Sequence, residues 1–164
     1  MANYANFASH VGLRVNYSLY AVPVAWTVAM APLWWAVAAA GSVNPNAYDQ
    51  SEPAESWASL EKSGASPQLA KRIRRAVAAN NNGLTNLSIF ASCLVAANFA
   101  KVPVRFLHIC AGTYLTSRSL YNLAYMFIED PKVAYARTLC FFGGVGSCFA
   151  LVIKAAEQIR NSPY

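Results

Sequence analysis

The sequence predicts an all-α membrane protein built as a four-transmembrane-helix bundle, and three observations lead there. Only 12% of the residues are charged while 56% are apolar, against about 25% charged in an average soluble domain. Four stretches are long and nearly free of charge: 22 residues from Leu19 to Ala40, 25 from Ala76 to Ala100, Phe106 to Ile128 broken only by Arg118, and Thr138 to Ile153. About 20 such residues span a bilayer core. Short turn sequences separate the second, third and fourth stretches, which makes those helices antiparallel neighbours. With 164 residues the chain is expected to form one domain, 1–164.

Each element follows from its local residues. Residues 1–18, with His10 and Arg14, are polar and aromatic and are expected at the membrane interface. The first helix is expected over about 19–40, with Pro23 near its start and Pro32 as a kink. Trp34 and Trp35 sit late in it, either as aromatic-belt anchors or as pocket walls. This apolar run is longer than a signal-peptide core and is expected to remain as an anchor. The composition turns to Ser, Asn, Pro, Asp and Glu over 41–66, a long loop suited to mobility or to a lid. Ser66 as N-cap and Pro67 at the first helical position open the second helix, expected over 67–100. "KVPVRF" turns the chain into a third helix over 104–128. "EDPK" ends that helix, and the fourth is expected over 131–160. In the fourth, "GGVGSC" allows another helix to approach closely.

The net charge of +6 comes without a basic-aromatic surface motif, so no nucleic-acid partner is expected. In a membrane protein such an excess marks loops and anionic headgroups, and membrane lipid is the expected partner. Lys and Arg fall at both ends of the helices, so loop charge does not set the orientation. Cys93, Cys110, Cys140 and Cys148 lie in the apolar runs with no metal-binding spacing and read as buried free thiols. Two isolated histidines supply no metal site.

Polar residues inside the apolar runs carry the functional signal. Arg118 stands mid-way along the third helix, and Tyr121 and Tyr125 follow it by three and seven residues, on one helical face. Arg75, Asn82 and Asn86 share a face of the second helix, and Arg137 lies in the first turns of the fourth. A mid-span arginine costs several kcal/mol unless satisfied, and such groups face a bundle interior or a watery cavity. Inward cations, amides and phenols with almost no carboxylate call for an anionic ligand. The bland readings stay open: Arg75 can snorkel to headgroups, the tyrosines can be core or belt aromatics, and the asparagines can be interhelical hydrogen-bonding glue.

"RRAVAANNNGLTNLSIFASCLVAAN", "YLTSRSLYNLAYMF" and "ARTLCFFGG" resemble the membrane-associated proteins in eicosanoid and glutathione metabolism, the MAPEG family. "NYSL" before the first helix and "NGxxN" in the second are similar to its fungal branch. The likeness runs from about Asn16 to Ala156. It implies a homotrimer with sites between subunits, a multi-pass protein of the endoplasmic reticulum, and glutathione as cofactor. By the same resemblance Asn82, Arg118, Tyr121 and Tyr125 hold the tripeptide. Arg137 stabilises its thiolate, with Thr138 in the small hydroxyl position beside it. Thr85 stands where the family's "N-x-x-E" motif has its glutamate, and Ala78 where an arginine is expected. "NPNAY" lacks the fungal branch's first-loop basic residue.

The function expected is that of a membrane enzyme acting on a lipophilic small molecule. One form is a glutathione transferase or isomerase, with Arg137, Tyr125 and Arg118 catalytic and Arg75, Asn82, Asn86, Arg118, Tyr121 and Tyr125 binding the cofactor. Thr85, Thr138 and Trp35 are candidates for the substrate pocket. The alternatives are a glutathione-independent cyclase or isomerase of fungal secondary metabolism using the Arg/Tyr pocket, a non-enzymatic lipid-binding partner protein, and an accessory subunit of a larger membrane complex.

Overall fold

The computed structural model describes residues 15–128 and 134–161. Residues 1–14 of the interfacial segment, with His10 and Arg14, the "EDPK" turn and the expected start of the last helix at 131 lie outside them. Among the described residues every regular element is helical. A 3-10 turn, Ser18–Tyr20, leads into α1 (Ala21–Val43), and a short α2 (Pro53–Ala58) interrupts the following loop. The long helices α3 (Pro67–Phe99), α4 (Val104–Phe127) and α5 (Ala134–Asn161) complete the chain.

The helix ends have local causes. The Ser66 hydroxyl accepts the Leu69 amide at 3.3 Å and Pro67 fills the first helical position, so α3 starts where its capping residues dictate. At its other end the Val102 amide reaches back to the Ala97 carbonyl and the Lys101 amide to that of Asn98, a Schellman closure. It requires a left-handed residue, and Lys101 takes that place with φ 57°. Pro103 then sets the turn into α4. At the start of α1, Asn16, Ser18 and Asn98 share hydrogen bonds, and the Tyr17 amide donates to His108 Nε2 at 3.1 Å. The "NYSL" segment is thereby tied to the ends of α3 and α4.

α3 and α4 form the middle of the molecule, with α1 and α5 on opposite sides of that pair. α1 buries Ala21, Ala25, Ala29, Pro32, Ala36 and Ala40. That small-residue stripe lets it lie close against α3. At Gly83 the approach is close enough that an added Cβ would stand 2.9 Å from Ala29 Cβ.

The interior has three layers. At one end Phe90, Leu94, Leu107, Tyr114 and Leu151 pack as an apolar cluster. At the other, Ala36, Ile73, Ala76 and Met126 pack with Trp57, Leu60 and Ala65 of the loop. Between them lies a polar layer containing buried Asn80, Asn86, Arg118 and Asn122. Part of this layer answers Pro32. A helical proline has no N–H for the carbonyl four residues back, here that of Val28. Asn122 of α4 donates to the Val28 carbonyl at 2.8 Å, and Asn80 of α3 donates to the next carbonyl, Ala29, at 2.9 Å. Neighbouring helices thus satisfy the backbone groups at the proline, which is how membrane helices tolerate one.

The long loop is folded. Tyr48 stacks on Trp57 with ring centres 4.6 Å apart, and Arg74 pairs with Glu61 at 3.0 Å. Ser51 donates its hydroxyl and amide to the Asp49 carboxylate, which holds that group below the ordinary carboxylate range. The four cysteines are free, with Cys140 half-buried and the other three buried.

Outward surfaces are apolar, with Phe99 86% and Leu139 73% exposed, as suits lipid or a partner subunit. Among the described residues two helices are long and apolar enough to cross a membrane, Ser18–Val43 and Arg137–Asn161. That is two of the four spans expected. The asparagines, basic residues and hydroxyls of α3 and α4 lower their apolarity.

Candidate functional site

Arg118 is only 4% exposed, in the polar layer between α3, α4 and α5. Its Nη1 donates to Asn82 Oδ1 at 3.1 Å and its Nη2 to Asn86 Oδ1 at 2.9 Å. The Asn86 amide in turn donates to the Asn82 backbone carbonyl at 2.9 Å and to Asn82 Oδ1 at 3.3 Å, which orients both acceptors. The guanidinium carbon lies 5.4, 5.8 and 5.1 Å from the ring centres of Tyr114, Tyr121 and Phe141. A central arginine costs about 3 kcal/mol to insert. Two hydrogen bonds from a charged group, about 1.5–3 kcal/mol each, offset that cost, and the ring contacts add to it. Both acceptors are neutral amides, so the charge is satisfied without being cancelled. The Nε is buried without a partner.

α5 closes this seat with backbone. A Cβ on Gly144 would stand 3.0 Å from Arg118 Nε, and one on Gly143 3.2 Å from Ser117 Oγ. The Ser117 hydroxyl donates to the Cys140 carbonyl, joining α4 to α5 at the same level. "GGVGSC" therefore allows a close approach, and the group it accommodates is the guanidinium.

Beside the buried cation lies an open cleft of about 440 Å³, walled by Asn82, Tyr121, Tyr135, Arg137, Thr138, Phe141 and Phe142. Arg137 spreads over the Tyr125 ring at 5.2 Å. Arg75 faces the same ring at 5.7 Å and donates to the Ile128 carbonyl at the end of α4. Tyr121 and Tyr125 stack with centres 5.5 Å apart. The cleft thus joins an accessible cation, phenols and a hydroxyl to aromatic walls. No carboxylate lines it among the described residues. Such a site favours an anion next to an apolar group. Among the described residues no group of His, Cys, Asp and Glu could hold a metal ion.

The candidate residues therefore divide. Asn82, Tyr121, Arg137 and Thr138 wall the cleft. Tyr125 and Arg75 stack at its edge. Arg118 and Asn86 lie behind it, buried. Two candidates are elsewhere. Thr85 is exposed and spends its hydroxyl on the Asn81 carbonyl of its own helix at 3.0 Å. Trp35 lines a second, apolar cleft between α1 and α4, edge-on to Phe127 at 5.8 Å.

Sequence reasoning missed Tyr114, although its place four residues before Arg118 on one helical face was available as a signal. It also missed Phe141, four residues after Arg137. No signal marked Asn122 as the partner of Val28, since that pairing depends on how α1 crosses α4.

No curated protein and no solved structure matches the chain. The sequence does match the MAPEG family over residues 10–156, a stretch that holds every residue of the cleft and of the arginine seat behind it. A membrane protein with this helical architecture and that match over nearly its whole length belongs to the MAPEG family.

Proposed function

We propose that the Arg137 cleft is the catalytic site of a membrane enzyme that acts on a lipophilic substrate by stabilising an anion. The observation that supports this best is the pairing of an accessible Arg137, 5.2 Å from the Tyr125 ring, with an uncancelled buried Arg118 behind Asn82. Two cations beside one aromatic cleft lower the cost of negative charge there, and phenols at its wall and edge can donate a proton. In the first form of this reading the anion is the thiolate of glutathione. A thiol of pKa about 8.5 needs a nearby cation to ionise at neutral pH, and Arg137 would supply it. The enzyme would then be a transferase or isomerase. It would work as a homotrimer with sites between subunits, all four long helices spanning the endoplasmic reticulum membrane.

A second form is favoured by Thr85. Its hydroxyl is committed to Asn81, and no carboxylate among the described residues lines the cleft to meet the ammonium group of the tripeptide. The negative charge would then be that developing on a carbonyl oxygen of the substrate, polarised by Arg137 and protonated by a wall phenol, in a glutathione-independent isomerisation or cyclisation.

Titration calorimetry with glutathione on the detergent-purified protein separates the two forms. Binding in the micromolar to low millimolar range, weakened in Arg137→Gln and strengthened in Thr85→Glu, supports the first. No binding at high concentration, with turnover of a hydrophobic substrate in its absence, supports the second. Arg137→Gln is expected to lower turnover about 100-fold or more in either form. Unchanged turnover would remove Arg137, and the anion-stabilising reading with it.

A further inference from the structure

The side of α4 that faces away from the Arg137 cleft carries a second site. Val28, Pro32 and Trp35 of α1 and Leu123, Met126 and Phe127 of α4 wall an open slot of about 340 Å³ that is almost wholly apolar. Ser119 and Asn122 are the polar residues that line it, and the Asn122 amide is spent on the Val28 carbonyl at 2.8 Å. The body of an occupant therefore meets mostly hydrocarbon. The Phe127 end is different. Arg72, from the basic first turns of α3, holds its guanidinium 5.6 Å above the Phe127 ring. Its Nε is buried with no hydrogen-bond partner. The ion pairs among the described residues engage Arg74 and Lys154 and leave Arg72 without a carboxylate.

An apolar slot with the Arg72 guanidinium over its Phe127 end, paired with no carboxylate among the described residues, is complementary to an amphiphile with a negative head. α1, one wall of the slot, is long and apolar enough to cross a membrane. An open slot on its flank meets the most abundant such amphiphile directly. We infer that the α1–α4 slot holds one acyl chain of an anionic phospholipid, with its phosphate on Arg72. The inference rests on the membrane setting of the family and not on the reaction at Arg137.

The test uses the whole protein in phosphatidylcholine vesicles. Lipids brominated on the acyl chain quench nearby tryptophans, and the difference between wild type and Trp35→Phe isolates the Trp35 contribution. Brominated phosphatidylglycerol is expected to quench Trp35 at a severalfold lower mole fraction than brominated phosphatidylcholine of the same chain length. Arg72→Gln should remove that preference while the tryptophans on the outer face of α1 are quenched as before. In wild type the preference should also shrink as salt is raised, a check that needs no folded variant. Equal quenching by the two phospholipids overturns the inference, and so does a preference that survives Arg72→Gln. Protection of Trp35 from both, while the outward Trp34 is quenched, would mean that a second copy of the chain covers the slot. Stronger quenching by a brominated free fatty acid would assign the slot to a different amphiphile.

Discussion

The two faces of α4 are both polar at the same level of the molecule, yet they use polarity in opposite ways. Toward α1, Asn122 donates to the Val28 carbonyl, a backbone group that Pro32 leaves without its usual donor. The bond is neutral and closed, and the cleft beside it is apolar. Toward α3 and α5, Arg118 is held by the side-chain oxygens of Asn82 and Asn86. That arrangement is held by two hydrogen bonds but still charged, and the cleft beside it contains Arg137, Tyr121 and Thr138. A buried polar group can thus serve the fold by being used up, or serve chemistry by keeping its charge. What decides between them is whether the partner group cancels it.

Substitutions on the two faces should separate these roles. The largest stability effect is expected from Asn86→Leu, which leaves a guanidinium nitrogen buried without its acceptor. A loss of about 2–3 kcal/mol should accompany weaker ligand binding at the Arg137 cleft, read by thermal unfolding and calorimetry on the same preparation. Wild-type stability in this variant would mean that Arg118 has another acceptor, and the contrast between the faces would fail. Next is Gly83→Ala, which places a Cβ 2.9 Å from that of Ala29. Overpacking of this kind costs about 1–3 kcal/mol, and the shift should lower the melting temperature without a direct effect on cleft chemistry. Asn122→Leu removes one interhelical bond at the proline and is expected to cost about 1 kcal/mol, since such bonds are modest in membranes. Ligand affinity at the Arg137 cleft should stay as in wild type; a fall would show that the two faces are coupled through α4. The smallest effect is expected from Thr85→Val. Its hydroxyl serves only its own helix, so stability should stay within about 0.5 kcal/mol.

Much of this was legible in the sequence. The order of the long helices follows from the apolar runs and from punctuation such as Ser66–Pro67, whose capping bond is formed. The common face of Arg118, Tyr121 and Tyr125 follows from the helical period alone, and so does that of Asn82 and Asn86. The small residues of "GGVGSC" announced a close approach. Less legible was the use of each face. Asn80 reads like its neighbours in "NNNG", yet it is buried and bonded to Ala29, while Asn81 is exposed. The composition of 41–66 marks a loop but does not tell that Trp57 and Leu60 pack it onto the helix ends. Nor does the helical period tell that Trp35 and Thr85, two candidates for the substrate pocket, lie away from the Arg137 cleft.

What the sequence determined by itself was local: where helices begin and end, which residues share a face, and that a cation and two phenols lie on one side of the third long helix. These follow from the helical period and from capping chemistry within a few residues of each position. The tertiary structure decided which faces meet. α3 and α1 are set against each other where Gly83 meets Ala29, and α5 is set against α4 where Gly144 meets Arg118. Those two contacts join residues 54 and 26 positions apart in the chain, beyond the reach of any local pattern. They fix the rotation of each helix about its axis, and so they decide that Arg118 keeps its charge beside one cleft while Asn122 closes the backbone beside the other.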